Sequence, residues 1–453
     1  MPRGTAPGNG KHQDSLAIHD QRFRNKNAKS IWGGSMSCKT MPLAAVVMTL
    51  GVSPGHAMDV DGIELAGSGF LTLATGRMLN GSNEAASGYR KPFFAADYAQ
   101  AGIYDGSSGL QWKPDSKLGL QGTATFPGQA WSVTGQLVAR GARDGRVDLE
   151  WLYASYKLNG HFTVQAGRKR IPMFYYSDTQ DVGFALPWAH LPSQLYGWEA
   201  VNYNGVNLSY QGQWGEWTGA MDLLAGNESR KETGYWKIYR GKRNRTDIKW
   251  EDIVGGDIAL TRDWLETRFV YLQSKMRSRN VNGIWDGALT PGAGTYGRDP
   301  SGDTAADPGF GNPAGNQKIY GLTFNVDYRN FLVRSEIIYI DHRQSMGYKD
   351  HAFIVGAGYR FGRLTPMVTV ADYRSQAITA AGAASDAQEA TRTTSLVLRY
   401  DLTPSSDIKI QFDSQKDRSG PHYTLDQIGL GTSVPGNRYG NSRLLTLAYD
   451  MIF

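Results

Sequence analysis

The residues with capacity for chemistry are mostly charged. Lys117, Arg140, Arg168 and Arg170 stand on alternating apolar/polar segments, and Asp178, Asp181 and Glu199 stand on the long connection 172–203. At these spacings they support no covalent chemistry; cations on one surface and carboxylates opposite sort ions and dipolar solutes by their field. Catalytic patterns are missing. The histidines after residue 57 are His161, His190, His342, His351 and His422, with no His-x-x-x-His pair, no Gly-x-Ser-x-Gly elbow and no cysteine cluster. The segment 418–441 holds one carboxylate, Asp426, and so no acid–base pair. No catalytic residue, metal or cofactor is expected.

The elements that would position these charges have period two. Leu445, Leu447, Tyr449, Met451 and Phe453 form one row at the chain end, with Thr446, Ala448 and Asp450 between them. Tyr320, Leu322, Phe324, Val326 and Tyr328 alternate in the same way with Thr323, Asn325 and Asp327. Sixteen such segments follow one another: 62–77, 116–126, 131–142, 146–158, 162–171, 204–213, 216–226, 252–262, 264–275, 318–329, 331–342, 351–361, 363–374, 392–402, 407–417 and 442–453. Tight turns, such as Pro127-Gly128-Gln129 and Asn159-Gly160-His161, take every second place. The other places are mostly long: 78–115, 172–203, 227–251, 276–317 and 418–441. An apolar row ending in aromatics, a charged row behind it and turns of alternating length predict an all-β, 16-stranded antiparallel transmembrane β-barrel. A soluble sandwich would have to bury the charged row, which it cannot do.

Parity then assigns faces. Trp131, Val133, Leu137 and Ala139 take the lipid row, leaving Ser132, Thr134, Gln136 and Arg140 inside. Leu118, Leu120, Ala124 and Phe126 face lipid, leaving Lys117, Gln121 and Thr123 inside. On the fourth segment Val147, Leu149, Trp151 and Tyr153 are expected outside, with Asp148 and Glu150 inside. Strict parity turns Arg168 outward, and a bulge at Gly167 would re-aim it to the lumen with Arg170; snorkelling of both into headgroups is the alternative. Asp178 and Asp181 have the alternative of ordinary solvation. Against it, their connection carries three prolines and eight aromatics, which need a surface to pack on.

Composition bounds the rest. The 453 residues carry 48 Lys+Arg against 42 Asp+Glu, net +6, with mean hydropathy −0.43. Seven basic and two acidic residues lie within 1–57, leaving 41 against 40 beyond, a net of +1. That near-balance argues against nucleic-acid binding, although Arg230, Lys231, Lys237, Arg240, Lys242, Arg243, Arg245 and Lys249 crowd one connection. Residues 36–57 read as a signal peptide, with a short apolar run from Pro42 to Val52 and small residues at Gly55-His-Ala57. Translation would start at Met36 or Met41, with 1–35 a mis-assigned extension; a disordered tail before a buried helix is the alternative. The lone Cys38 would leave with the leader, and 58–453 would form one barrel domain.

Four stretches resemble a general diffusion porin of the Gram-negative outer membrane. They are Leu445-x-Leu447-x-Tyr449-x-Met451-x-Phe453, Ser116-Lys117-Leu118-Gly119-Leu120-Gln121-Gly122, Ala166-Gly167-Arg168, and the connection 172–203 in the place of the third extracellular loop. The resemblance implies passive diffusion of small hydrophilic solutes and ions and no enzymatic activity. It also implies that 172–203 folds into the lumen as a constriction, with Lys117, Arg140, Arg168 and Arg170 as the basic wall and Asp178, Asp181 and Glu199 as the acidic loop. Tyr449, Met451 and Phe453 would be the signal read by the barrel assembly machinery. Outer-membrane lipid and lipopolysaccharide are the implied surroundings, and a homotrimer the implied assembly. Pro172-Met-Phe-Tyr-Tyr-Ser177 and Leu186-Pro187-Trp188 depart from the usual acidic loop pattern, so solute preference does not carry over. A substrate-selective channel or receptor-like barrel is the alternative. N-terminal sequencing of outer-membrane material should find the chain beginning near Met58 or Asp59; residues 1–35 still attached would contradict the leader.

Overall fold

A computed structural model describes residues 58–82, 89–281, 314–342, 348–378, 384–419 and 440–453. Residues 1–57, on which the expected leader falls, and Asp426 and His422 lie outside the described residues. Sixteen strands make the wall: β1 (Ile63–Gly81), β2 (Lys117–Thr125), β3 (Trp131–Arg140), β4 (Arg146–Lys157), β5 (Phe162–Arg170), β6 (Asn202–Trp214), β7 (Trp217–Arg230) and β8 (Thr246–Arg262). They continue as β9 (Leu265–Asn280), β10 (Gly315–Tyr328), β11 (Phe331–His342), β12 (Tyr348–Tyr359), β13 (Leu364–Ile378), β14 (Ala384–Thr403), β15 (Ser406–Asp417) and β16 (Ser442–Ile452). Each pairs antiparallel with its sequence neighbours, and β16 pairs back onto β1, from Ser442↔Gly81 to Ile452↔Phe70. The barrel is closed. A short strand, Met58–Val60, adds a hairpin arm to β1, and a small hairpin of Phe94–Asp97 and Gly102–Tyr104 lies between β1 and β2.

All sixteen expected segments are strands, several of them longer than their alternation shows. Beyond the expected limits, β7 runs to Arg230, β8 begins at Thr246 and β9 continues to Asn280. These extensions lie at the long-connection end, where the outer row turns charged: Lys275 pairs with Asp252 at 2.8 Å, and Arg277 with Glu251 at 3.1 Å. With both rows polar, no apolar period marks the strand.

Leu322, Phe324, Ile337, Val355, Val368, Leu396 and Leu447 are about half exposed on the outer row, in a band that circles the wall. An apolar band of that extent suits hydrocarbon. The inner row behind it is buried and largely polar: Thr369, Gln411, Asp413, Thr446 and Asp450. It is not polar throughout. Ile338, Ile340, Ile354, Met367 and Val397 bury in one cluster with Trp188, Tyr196, Trp198 and Tyr235 from the connections.

One parity expectation fails. Gln136 pairs with Trp151 but Leu137 pairs with Leu149, so Glu150 is an extra residue in β4. Past this bulge the faces exchange: Leu152 is exposed, while Trp151 and Tyr153 stand opposite the inner residues Gln136 and Thr134. Trp151 and Tyr153 therefore do not face lipid as strict alternation required. At Gly167, where a bulge was expected, the register runs unbroken. Gly167 is needed for a different reason: its φ of +138° suits glycine, and a Cβ there would strike the Leu152 carbonyl.

The chain end is held by paired bonds between Gly69 and Phe453 (2.6 and 2.9 Å), and a Cβ on Gly69 would run into the Phe453 ring. Phe453→Asp should place a charge beside the apolar outer row and cut the yield of folded, heat-modifiable protein severely, given a cost up to about 2–4 kcal/mol for a lipid-facing charge. Wild-type yields on a heat-modifiability gel would contradict this role for the terminus.

Candidate functional site

Lys117 on β2 and Arg140 on β3 are register partners on the inner row, so two cations stand directly opposed. Like charges so placed repel unless an anion lies between them, and Asp181 supplies it. Its carboxylate takes Arg140 Nη2 at 2.7 Å and Nε at 3.2 Å, lies 3.7 Å from Lys117 Nζ, and contacts Arg170 Nη2. The β4 bulge delivers a second carboxylate: Glu150 meets Arg140 at 2.6 Å and Arg170 at 3.1 Å, and Asp148 stands 3.5 Å from Arg140. Burial alone would raise the Asp181 pKa, but Arg140, Arg170 and Lys117 hold it well below the carboxylate range. Removing one member of such a buried set typically costs about 3–5 kcal/mol. Lys117 keeps 16% of its side chain exposed, and so is the cation of this set open to solvent.

The other expected residues lie elsewhere. Arg168 pairs in register with the outward Leu152 and with Asn204, and its guanidinium grips Glu228 at 2.8 and 3.2 Å. Its Nε donates to the Leu149 carbonyl at 2.9 Å. Asp178 is the middle residue of a single 3₁₀ turn, Ser177–Thr179, and is exposed, so it diverges from Asp181. Glu199 is fully buried near the end of the same connection. In the assembly stretch, Tyr449 Oη approaches the Met451 sulfur at 3.5 Å.

A second set of charges had no local sequence signal. Lys409 on β15 is wholly buried between Asp407 (3.2 Å) and Asp450 (2.8 Å) and donates to the Gly183 carbonyl at 2.7 Å. Arg399 on β14 donates to the carbonyls of Phe184 and Leu186 at 2.9 and 3.1 Å. Any Cβ on Gly183 would strike Asp450 and Thr72, so only glycine allows this approach. Side-chain bonds continue along the connection: Trp188 to Thr369 (2.8 Å), Gln194 to Thr393 (2.7 Å), Tyr196 to Glu336 (2.5 Å) and Tyr175 to Glu266 (2.7 Å). The basic stretch after β7 is partly neutralised, with Lys237 on Glu232 (2.7 Å) and both Arg245 and Arg279 on Asp247 (3.5 and 2.9 Å).

The outer membrane channel DcaP of Acinetobacter baumannii superposes with a TM-score of 0.51 at 10% identity, covering 88% of this chain and 99% of that one. The chain has the fold of an outer-membrane channel. OmpF of Salmonella typhi, solved in complex with daunomycin, aligns over 88% of this chain and all of its own at 12% identity, with a TM-score of 0.49. The anion-selective porin from Comamonas acidovorans aligns over 86% and 100% at 14% identity and 0.48. At these identities the likeness is one of fold. No protein-family model and no curated protein sequence matches the chain.

Within this channel fold, His190 ties three elements together. Its Nδ1 lies 3.1 Å from Asp115, before β2, and its Nε2 3.2 Å from Asp413 on β15, with all three side chains buried. Burial would lower the imidazole pKa, but the two carboxylates outweigh it and push it up to about 10. A raised pKa stabilises the fold fully below the free-histidine value of about 6.5. The contribution fades as pH rises and is gone above about 10. His190→Gln should therefore cost about 3–5 kcal/mol near pH 6, because two buried carboxylates lose their cation. The gap between variant and wild type in thermal unfolding should close as pH passes 10; a gap independent of pH would contradict the bridge.

Proposed function

We propose that the protein forms a water-filled channel of the Gram-negative outer membrane for passive diffusion of small hydrophilic solutes and ions. In this reading the connection 171–201 folds into the lumen as its narrow section, and the open cation Lys117 and the exposed Asp178 act on permeating ions. The observation that carries it is the spread of that connection's bonds. Asp181 engages Arg140 and Arg170 from β3 and β5, while Gly183 to Leu186 engage Lys409 and Arg399 from β15 and β14. Bonds from one segment to such separate parts of a closed ring support a path through the interior. The long connections would face the outside of the cell, with lipopolysaccharide around them. The implied homotrimer belongs to the same proposal; Gly67, Gly122 and Gly135 align across β1 to β3, the first two with open space above them, a flat surface on which a second copy could rest.

A substrate-selective channel is the second reading. It is favoured by the apolar cluster on the inner rows of β10 to β14, which narrows the free section. Planar-bilayer recording separates the readings, since a diffusion channel conducts simple salt without added substrate. Under a salt gradient, Lys117→Gln should shift the reversal potential towards cation selectivity and Asp178→Asn towards anion selectivity. A unit charge about 4 Å from the ion path in water is worth about 1 kcal/mol, with opposite sign for cation and anion, so each cation/anion permeability ratio should move by roughly thirtyfold at most. Arg168→Gln should leave it unmoved. If neither Lys117→Gln nor Asp178→Asn moves the ratio, the connection does not line the narrow section.

A further inference from the structure

A small cavity separate from the Asp181 cluster lies between the last turn of the connection, around Ser193–Trp198, and the inner faces of β11 to β14. About 20 Å³ of it is open to the centre of a water-sized molecule, room for one or two such molecules. Rings of Tyr98, Trp198, Tyr235 and Tyr373 line it. Trp198 and Tyr235 stack at 6.2 Å with an interplanar angle of 10°, and Tyr98 meets Tyr235 at 6.1 Å. Asp350 completes the wall, 2% exposed, accepting from the Tyr373 hydroxyl at 3.3 Å and touching His342 Nε2 at 2.7 Å.

Two further polar groups in this wall are left over. Gln194 gives its Nε2 to Thr393, but its buried Oε1 has no partner, and neither has the buried Ser193 Oγ. Both residues are more than nine-tenths buried. The cavity thus presents an unpartnered amide oxygen and an unpartnered hydroxyl beside a buried carboxylate and four aromatic rings. Buried acceptors without partners are costly, and a guest that only donates would satisfy them. Aromatic faces carry negative charge and favour a cation. Amide and carboxylate oxygens coordinate sodium as well, so the discrimination rests on the aromatic faces, which suit a cation of ammonium type.

We propose that this cage binds a small ammonium-type monocation, ammonium itself or a methylammonium group. The assignment stands apart from the channel reading: the cage could be occupied in a barrel that conducts or in one that does not.

Folded protein in detergent would be titrated with ammonium chloride, methylammonium chloride or sodium chloride at constant ionic strength, with tryptophan fluorescence as the readout. The Trp198→Phe variant assigns the signal. Both ammonium salts should give a saturable change that sodium does not. Asp350→Asn and Gln194→Leu should each raise the midpoint about tenfold, the loss of one charge-assisted contact. Should Asp350→Asn fail to yield heat-modifiable protein, Gln194→Leu decides, because it removes an acceptor without touching the carboxylate. An equal response to sodium, no saturation, or a midpoint unmoved in the folded variants would mean that the cavity holds water only, and the proposal fails. Salt conductance recorded in parallel tests the channel separately.

Discussion

In hydrocarbon a backbone N–H or C=O without a partner costs several kcal/mol, and a sheet edge is a row of them. Closure of β16 onto β1 removes the edge, and much else follows from it. The ring fixes which row of each strand faces lipid and which faces the interior. It also encloses more space than the wall's own side chains fill at sixteen strands. Trp188, Tyr196 and Trp198 from the connection 171–201 share one buried cluster with Ile338 and Ile354. The apolar inner residues of β10 to β14 make sense as the wall's half of that packing.

Charge does the complementary work. Lys117 opposite Arg140 is a repulsive arrangement in isolation, and so is Asp407 near Asp450. Each becomes favourable when a group of opposite sign arrives, Asp181 in the first case and Lys409 in the second. In both sets the connection 171–201 contributes, once as a carboxylate and once as the carbonyl of Gly183. The position of that connection and the stability of the wall are therefore coupled. Neither charged set is comfortable without it.

The strands were legible because lipid demands an unusually clean signal: Leu, Phe and Val at every second place, as in Leu445 to Phe453. Where β8 and β9 rise past the apolar band, Lys275 and Arg277 occupy the outer row, the contrast vanishes, and no alternation marks the strand ends. Lys117 and Arg140 could be put on the inner row by parity, whereas the contact of Asp181 with them has no signal beyond its place on an aromatic-rich connection. Strict parity turns Arg168 outward, and its register with Leu152 and Asn204 leaves it there; the bulge in this part of the wall is not at Gly167 but at Glu150, one strand earlier, with no glycine or proline to announce it. Lys409 and Gly183 meet across more than two hundred residues of chain. No local pattern encodes such a contact.

The Glu150 bulge acts on β4 as a frameshift acts on a message. Before it, odd-numbered residues face lipid; after it, even-numbered ones do, and Trp151, Tyr153 and Ser155 become interior groups through a single additional residue. The strand is thus written in two frames joined at a carboxylate, and that carboxylate holds Arg140 and Arg170. A one-residue deletion here would do more than remove a charge. It would turn the remainder of the strand inside out, putting a serine and two amphipathic rings on the lipid side and Leu152 on the interior. Any change in the length of this segment is for that reason a change of face for every residue beyond it.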